Sequence, residues 1–439
     1  MSFVCRHWGA GSRFSLDTKL RSNNYSSMMN AEFRMSYTEC WDVLRKRLVE
    51  PPPGRIQLLS GPRQVGKTTL LTELADHFAG VSIYAAADAP EAMLPGFWER
   101  LFGKAEELAG SQGRAIVLLD EAHVLHDWAV RLKGVTDHFR RRKIPVHVVA
   151  TGSSALRLGV ASRETLAGRF ERLTLTHWSA SSLAEVFDLG TEEAADLLVQ
   201  MGSYPGAFPL RGDIPRWAAY VRQAILEPAI GRDILTLSAV RRPALLRQVF
   251  SVAATSPAQI ISLQKLQGQL QDAGALETIA HYLALLEEAF LVAPIAKYAR
   301  KVPRRRSSPP KLVTLNNALV SVMDPQGLAE PDSDPAKFGA CVENACLAHA
   351  WNAGQHVSYW REEPLEVDGI LEGSWGSWAV EVKTGPYQMA DLKGLLEFVR
   401  RNRQFRPLVI CRGPDRTVAE RAGVDAMTWQ EFLASGPAG

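Results

Sequence analysis

Short apolar runs alternate with amphipathic segments over the first 180 residues of the chain. Apolar runs of strand length fall at 55–59, 81–85, 115–119 and 145–150. Segments with helical spacing fall at 36–50, 68–78 and 97–109. Strands that alternate with helices are typical of a parallel sheet with helices on both faces. The pattern therefore predicts an α/β domain over residues 36–180.

The pattern turns helical after residue 180, and the segments 263–270 and 278–288 are predicted to be paired helices. A strand is predicted at 290–294, and the stretch 300–311 then carries six cations and three prolines. This order predicts a helical lid and a winged-helix-like region over 181–311, a common arrangement for gripping DNA.

The second of the paired helices is poor in Lys and Arg and resembles a core or protein-contact helix. The basic stretch is therefore the better candidate for phosphate contact, through Arg304, Arg305 and Arg306. A solvated linker is the alternative interpretation of this stretch. Residues 312–334 are predicted to be a linker, and the mixed pattern over 335–439 predicts a further α/β domain.

Composition limits the class of protein. The chain is 46% hydrophobic and 22% charged, as expected for a folded domain protein. A net charge of +3 means that nucleic-acid binding would depend on local patches. Five cysteines without a CxxC pair argue against a disulfide framework or a zinc site and favour the cytoplasm. No membrane span is expected, because no apolar run reaches about 18 residues.

The first 35 residues are polar and rich in Ser and Asn. They are expected to form a disordered arm, or to lie upstream of the true start. Met28, Met29 and Met35 are the alternative initiators.

A glycine-rich loop follows the first predicted strand, and Gly61 to Thr68 matches GxxxxGK[ST] without a gap. Backbone N–H groups of such a loop surround phosphates, and the next helix directs its positive end at them. Lys67 is expected to reach the β- and γ-phosphates of ATP, and the Thr68 hydroxyl to ligate Mg²⁺. A chance match in an ordinary loop is the alternative. The predicted nucleotide contacts are Gly61, Pro62, Arg63, Gln64, Val65, Gly66, Lys67, Thr68 and Thr69.

The apolar run 115–119 ends in two carboxylates, Asp120 and Glu121. Asp120 is expected to hold Mg²⁺, and Glu121 to act as the general base toward water. Solvated acids at a strand end are the alternative. The run 145–150 leads to Thr151 and Ser153, each of which is either a contact of the γ-phosphate or water, or part of an ordinary turn.

Three arginines follow, Arg163, Arg169 and Arg172. An arginine delivered to a neighbouring subunit's γ-phosphate would act as an arginine finger, and Arg169 is our candidate. Surface salt bridges are the alternative for each of them.

Several motifs together resemble a known family. "LLSGPRQVGKTTLL", "LLDEAHVLHDW", "VVATGSSA", "LAGRFERLTL" and "GSYPGAF" are similar to the AAA+-type P-loop ATPases of bacteria and archaea that carry a C-terminal domain of unknown function. "VENACLAHAW", "SYWREEPLEVDGIL" and "WAVEVKTG" resemble that family's PD-(D/E)XK-nuclease-like end. The resemblance covers residues 36–439 and implies an AAA+ core, a winged-helix middle and a restriction-endonuclease-like tail. One segment departs from the family pattern: it has Asn316 and Asn317 where an aspartate is common.

The tail contains a candidate metal site. Asp368 lies on a predicted strand, and the return strand carries Glu381 and Lys383, which period-2 alternation sends to one face. Glu343 on the preceding helix would complete the set. Carboxylates that hold Mg²⁺ beside a lysine suit hydrolysis of a phosphodiester. A solvated acidic hairpin and a nuclease fold that binds without cutting are the alternatives.

Three functions remain open at this point. The first is an ATP-hydrolysing protein that acts on DNA, with a metal-dependent nuclease tail. The second is an ATP-dependent switch whose tail binds nucleic acid or protein without cutting. The third is a toxin or antitoxin component that acts on a protein. A homo-oligomer is compatible with each of them.

Overall fold

The computed structural model describes residues 34–51, 54–152, 166–235, 240–271, 275–299 and 308–437. Within these ranges the strands form three sheets, of six, three and five strands. The predicted Arg304, Arg305 and Arg306 contacts, Ser153 and Arg163 lie outside the described residues, as does most of the N-terminal arm.

The N-terminal part is a six-stranded parallel sheet with the order β1-β6-β2-β5-β4-β3. Its strands are β1 Arg34–Met35, β2 Ile56–Ser60, β3 Ser82–Ala86, β4 Ala115–Asp120, β5 Val146–Gly152 and β6 Phe170–Leu175. Its helices are α1 Tyr37–Arg47, α2 Lys67–His77, α3 Phe97–Gln112 and α4 Trp128–Arg142. The predicted α/β class is confirmed.

The order of the strands decides where the loops meet. Strand β2 is central, with β5 on one side and β6 on the other, and every residue of β2, β4 and β5 is buried. In such a sheet the loops at the carboxyl ends of neighbouring strands open a crevice. The loop after β2 and the residues that end β4 and β5 therefore lie together.

The middle part is helical, as predicted. Its helices are α5 Ala180–Phe187, α6 Thr191–Met201, α7 Ile214–Tyr220, α8 Pro243–Thr255, α9 Leu263–Gly268 and α10 Leu276–Glu288. Two π-helical turns, Val221–Leu226 and Ala229–Ile234, continue α7. A small antiparallel sheet has the order β7-β9-β8, formed by β7 Gln259–Ile260, β8 Val292–Ile295 and β9 Lys311–Thr314.

The segment 312–334, which we expected to be a linker, contains regular buried structure instead. Most of β9 lies in it, and helix α11 spans Asn317–Met323. Asn316 caps α11 and accepts from Ser203 N–H, while Asn317 donates to the Val199 and Cys341 carbonyls. The two asparagines thus join α11 to the middle part and the tail.

The tail is a five-stranded mixed sheet with the order β10-β11-β12-β13-β14. Its strands are β10 His356–Glu362, β11 Leu365–Gly373, β12 Gly376–Lys383, β13 Arg406–Cys411 and β14 Asp425–Thr428. Its helices are α12 Pro335–Asn352, α13 Lys393–Arg401, α14 Arg416–Arg421 and α15 Trp429–Ser435. One apolar cluster joins α5 and α6 of the middle part to α12, β12 and α15. The tail therefore packs on the middle part through a shared core.

Candidate nucleotide site and tail carboxylate cluster

The loop between β2 and α2 has the backbone conformation that its glycines permit. Gly66 has a φ of 98° at the start of α2, and Gln64 has a φ of 61°. A Cβ on Gly61 would lie 2.1 Å from the Leu175 carbonyl oxygen on β6, so only glycine fits there. The loop is thus wrapped around the N-terminus of α2, where backbone N–H groups and the helix dipole favour an anion.

Lys67 points into this loop. Its Nζ donates to the carbonyls of Pro62 at 2.7 Å and of Gly61 at 3.1 Å. Burial lowers the pKa of Lys67, whereas the nearby carboxylates of Glu121 and Asp120 act in the opposite direction. A buried ammonium at a helix N-terminus is a donor set that fits a polyphosphate.

Asp120, the last residue of β4, is held by three hydroxyl groups. Thr68 Oγ1 donates to its Oδ2 at 2.7 Å, Tyr84 OH donates to the same atom at 3.2 Å, and Thr151 Oγ1 donates to Oδ1. The contact between Thr68 and Asp120 joins the two residues predicted to hold Mg²⁺. The oxygen donors here suit that ion.

Glu121 follows directly in a left-handed conformation, with a φ of 49°. Its N–H donates to Thr151 Oγ1 at 3.1 Å, and its Oε2 lies 3.1 Å from His123 Nδ1. Burial raises the pKa of Glu121, and the Lys67 ammonium opposes this. A partly desolvated carboxylate of this kind is a stronger proton acceptor than one in water.

Thr151 lies beside Asp120 and Glu121, and its contact with the γ-phosphate or water stays a prediction. It is fully buried, and its hydroxyl bridges Asp120 and the Glu121 N–H. Its place in this structure is therefore to orient the two carboxylates. Sequence reasoning identified the residue but not this partner, because the pairing depends on β4 and β5 being neighbours.

Of the three arginines, Arg169 forms a two-pronged ion pair with Asp137 of the same chain, with Nε–Oδ1 at 2.7 Å and Nη2–Oδ2 at 3.2 Å. Arg169 thus forms a salt bridge, the alternative to an arginine finger that the sequence left open. Arg172 lies on β6 and is partly buried. The arginine-finger role stays a prediction.

Sequence reasoning missed a charged contact between the loop and the middle part. Arg63 Nε and Nη2 each lie 2.7 Å from the carboxylate oxygens of Asp233 on the second π-helical turn, and Asp233 is 3% exposed. Trp178 Nε1 also donates to the Val65 carbonyl at 3.0 Å. No local pattern marks either partner, because each pair is separated by more than 100 residues.

The tail residues predicted as a nuclease site come together. The pairing of Gly369 with Val380 places Asp368 opposite Glu381, and Asp368 Oδ2 accepts from Val382 N–H at 2.9 Å. Lys383 Nζ lies 2.8 Å from Glu381 Oε1. Burial raises the pKa of Glu381, and the neighbouring Asp368 adds to this.

A fifth member of this cluster was not foreseen. The side chain of Lys311, the first residue of β9, is 2% exposed. Its Nζ lies 2.6 Å from Glu343 Oε1, 3.5 Å from Glu366 Oε1 and 3.7 Å from Asp368 Oδ1. Burial lowers the pKa of Lys311, but the carboxylates, led by Glu343, raise it more, and the net shift is upward. The lysine was assigned to the basic stretch, yet it faces carboxylates and not solvent.

Three further observations concern the described part of the chain. No three His, Cys, Asp or Glu side chains in it stand in an arrangement that holds a metal ion. None of its helices combines the length and apolar character needed to cross a bilayer. The exposed positions of helix α10 include Glu277, His281 and Glu288 but no Lys or Arg, in keeping with the prediction that this helix is a poor phosphate contact.

Comparison with known families divides the chain into three. Residues 53–184 match the family model of an AAA domain. Residues 192–330 and 338–432 match the models of two domains of unknown function, DUF8612 and DUF4143. The N-terminal part therefore contains an AAA-type, ATPase-like domain. The tail match assigns no activity, and the nuclease-like tail stays a prediction.

Two curated relatives are an uncharacterized protein of Mycobacterium tuberculosis and one of Mycobacterium bovis. Each is 28% identical to this chain over 349 residues, which are 77% of this chain and 72% of the relative.

Among solved structures, the chain is similar to a Walker-type ATPase of Pyrococcus abyssi. The two share 15% identity, the match covers 65% of this chain and 94% of that chain, and the TM-score is 0.44. The RuvB Holliday junction branch migration motor of Thermotoga maritima has 16% identity, coverage of 58% and 88%, and a TM-score of 0.31. AMPPCP-bound DnaA of Aquifex aeolicus has 14% identity, coverage of 57% and 87%, and a TM-score of 0.30.

Proposed function

We propose that the protein binds ATP at the loop 61–68 and hydrolyses it. The observation that carries this proposal is the contact of Thr68 with Asp120 at 2.7 Å, beside the buried ammonium of Lys67 and the carboxylate of Glu121. These groups supply a cation for the phosphates, ligands for Mg²⁺ and a base for water.

The residues divide the chemistry as follows. Lys67 and the backbone N–H groups of the loop bind the β- and γ-phosphates. Thr68 and Asp120 would hold Mg²⁺, which offsets the negative charge of the phosphates when bound. Glu121 takes a proton from water as the water oxygen bonds to the γ-phosphorus. The bond from that phosphorus to the β–γ bridging oxygen breaks, and ADP and phosphate leave.

The test uses three variants of the full chain. Lys67→Ala should lose nucleotide affinity, since the phosphate cation is removed. Glu121→Gln should bind ATP and release phosphate slowly, since only the base is lost. Glu99→Gln changes a carboxylate whose side chain is 72% exposed and should behave as wild type. Wild-type turnover in Glu121→Gln would refute the assignment of the base.

A second part of the proposal is that the protein acts on DNA. Its support is the order α8, β7, α9, α10, β8, β9 with an antiparallel sheet, which is that of a winged helix. Because α10 exposes acids, we assign phosphate contact to Arg304, Arg305 and Arg306 of the basic stretch. Replacing these three by Ala should weaken DNA binding and flatten its salt dependence. An unchanged affinity and slope would contradict the assignment.

The third part is a tail that cuts nucleic acid with Mg²⁺ or Mn²⁺, supported by the convergence of Asp368 and Glu381 beside Lys383. Asp368→Asn should lower both metal affinity and rate, and Lys383→Ala the rate alone. Cutting that persists in Asp368→Asn, or no cutting with ATP and metal present, would reject it. The alternative is a switch whose tail binds without cutting.

Cellular location and assembly complete the proposal. We assign the protein to the cytoplasm, supported by four described cysteines that are all buried and free, namely Cys40, Cys341, Cys346 and Cys411. We also assign a homo-oligomer, since an arginine finger would act on a neighbouring subunit. Sedimentation with and without ATP tests this, and a monomer in both states would contradict it.

A further inference from the structure

The carboxylate cluster of the tail contains a cation that belongs to the middle part. Lys311 is the first residue of β9, where it pairs with Ile295 of β8 and Ile260 of β7. Its side chain crosses to the tail and is held there by Glu343 at 2.6 Å. Its Nζ also donates to the Asp368 carbonyl at 3.2 Å. The position of this ammonium is thus determined by the small sheet of the middle part.

The cluster has more acceptor capacity than its two lysines use. Its four carboxylates, Glu343, Glu366, Asp368 and Glu381, face the ammonium groups of Lys311 and Lys383. One oxygen of Glu381, Oε2, is buried without a hydrogen-bond partner among the described residues, and that side chain is 9% exposed. A buried acceptor without a donor is costly unless a cation or donor reaches it.

We propose that the Lys311 ammonium occupies the place of a divalent cation between Glu343 and Asp368, and that the cluster binds Mg²⁺ or Mn²⁺ when Lys311 is withdrawn. An ammonium and a divalent cation compete for these oxygens, because both cannot lie between them at bonding distance. This competition explains why the carboxylates, as placed, do not form a metal-ligand set.

The consequence is a tail site controlled by the middle part. Strand β9 carries the lysine into the cluster, so a shift of β9 would be needed to expose it. The inference uses the metal ligands of the tail site proposed above. It concerns binding and not cutting, so a tail that binds Mn²⁺ but cuts nothing leaves it intact.

The experiment measures Mn²⁺ binding to the full chain without nucleotide, from the electron paramagnetic resonance signal of free Mn²⁺. Lys311→Met keeps the length of the side chain and removes the charge, and we expect Mn²⁺ to bind at least about tenfold more tightly than to wild type. Adding Asp368→Asn to this variant should abolish the gain. Lys337→Met is the matched control, since it removes another partly buried lysine–carboxylate pair, that with Asp324 at 3.1 Å.

Three results would overturn the inference. The first is a folded Lys311→Met protein that binds no more Mn²⁺ than wild type. The second is an equal gain in Lys337→Met. The third is a gain in Lys311→Met that persists when Asp368→Asn is added, because the additional Mn²⁺ would then bind outside the cluster. Should Lys311→Met not fold, Lys311→Gln retains a donor for Glu343 and is compared in the same way.

Discussion

The Thr151 hydroxyl gives the sharpest test of how the nucleotide site is built. Thr151→Val keeps the shape of the side chain but removes the donor to Asp120 and one of the two acceptors of the Glu121 N–H, the other being Asp120 Oδ1. Thr151 is fully buried, so water does not take the place of its hydroxyl. Asp120 and Glu121 then lose the group that holds them in one relative orientation.

The size of the effect follows from the kind of hydrogen bond. A bond to a charged group contributes about 1.5 to 3 kcal/mol. If the hydrogen bond stabilises the transition state by that energy, kcat of Thr151→Val should fall about 10- to 100-fold. Affinity for ATP should change less than about threefold, because Lys67 and the loop remain intact. If Thr151 only packed against its neighbours, the variant would be less stable but would not show a fall in kcat with nearly unchanged affinity for ATP.

The assay combines phosphate release with the affinity for a fluorescent ATP analogue, and thermal unfolding checks that the variant is folded. Thr151→Ser is the matched control, since it keeps the hydroxyl and should retain most of the activity. The reasoning is refuted if Thr151→Val turns over ATP like wild type. An equal loss in Thr151→Ser would also refute it.

Three further outcomes are expected. Asp233→Ala removes both acceptors of Arg63. It should lower the free energy of unfolding, measured in urea, by about 2 to 4 kcal/mol, which is more than Asp233→Asn should lower it. An equal loss of stability in the two variants would count against the pairing. Burial raises the pKa of Glu287 to about 7, so its contribution to the free energy of unfolding is complete below about pH 4.5 and is lost as the pH rises through 7. The free energy of unfolding of Glu287→Gln should therefore exceed that of wild type by up to about 3 kcal/mol as the pH rises from 5 to 8. A pH-independent difference would contradict this. Gly394→Ala puts a methyl group 2.1 Å from a backbone oxygen of β11 and should lower the free energy of unfolding, measured by thermal unfolding, by about 1 to 3 kcal/mol. The control Gly103→Ala places its methyl group in open space and should lower it by nothing. Similar values for both variants would reject the steric argument.

Local patterns carried the prediction of the nucleotide site. The segment from Gly61 to Thr68 is continuous, so its chemistry depends on neighbours in sequence and can be recognised without a fold. The carboxylates that end β4 were found in the same way, since a buried strand followed by acids is also a local signal. Alternation along β12 likewise indicated that Glu381 and Lys383 share a face.

Tertiary structure decided which of these groups meet and what else joins them. Thr151 contacts Asp120 because β5 lies beside β4, and Arg63 contacts Asp233 across 170 positions. The first part of the expected linker is buried structure because β9 pairs with both β7 and β8.

Lys311 shows most clearly why the partners of a buried charge could not be predicted from the sequence. In the sequence it ends a basic stretch that predicts phosphate contact or, alternatively, a solvated linker, because charge patterns report composition and not surroundings. Its buried position is favourable because carboxylates distant in sequence surround it, led by Glu343, which lies 32 residues away and supplies a carboxylate at 2.6 Å. The sequence by itself determined the local chemistry of the loop and the strand ends, whereas the partners of buried charges were decided by the packing of distant segments.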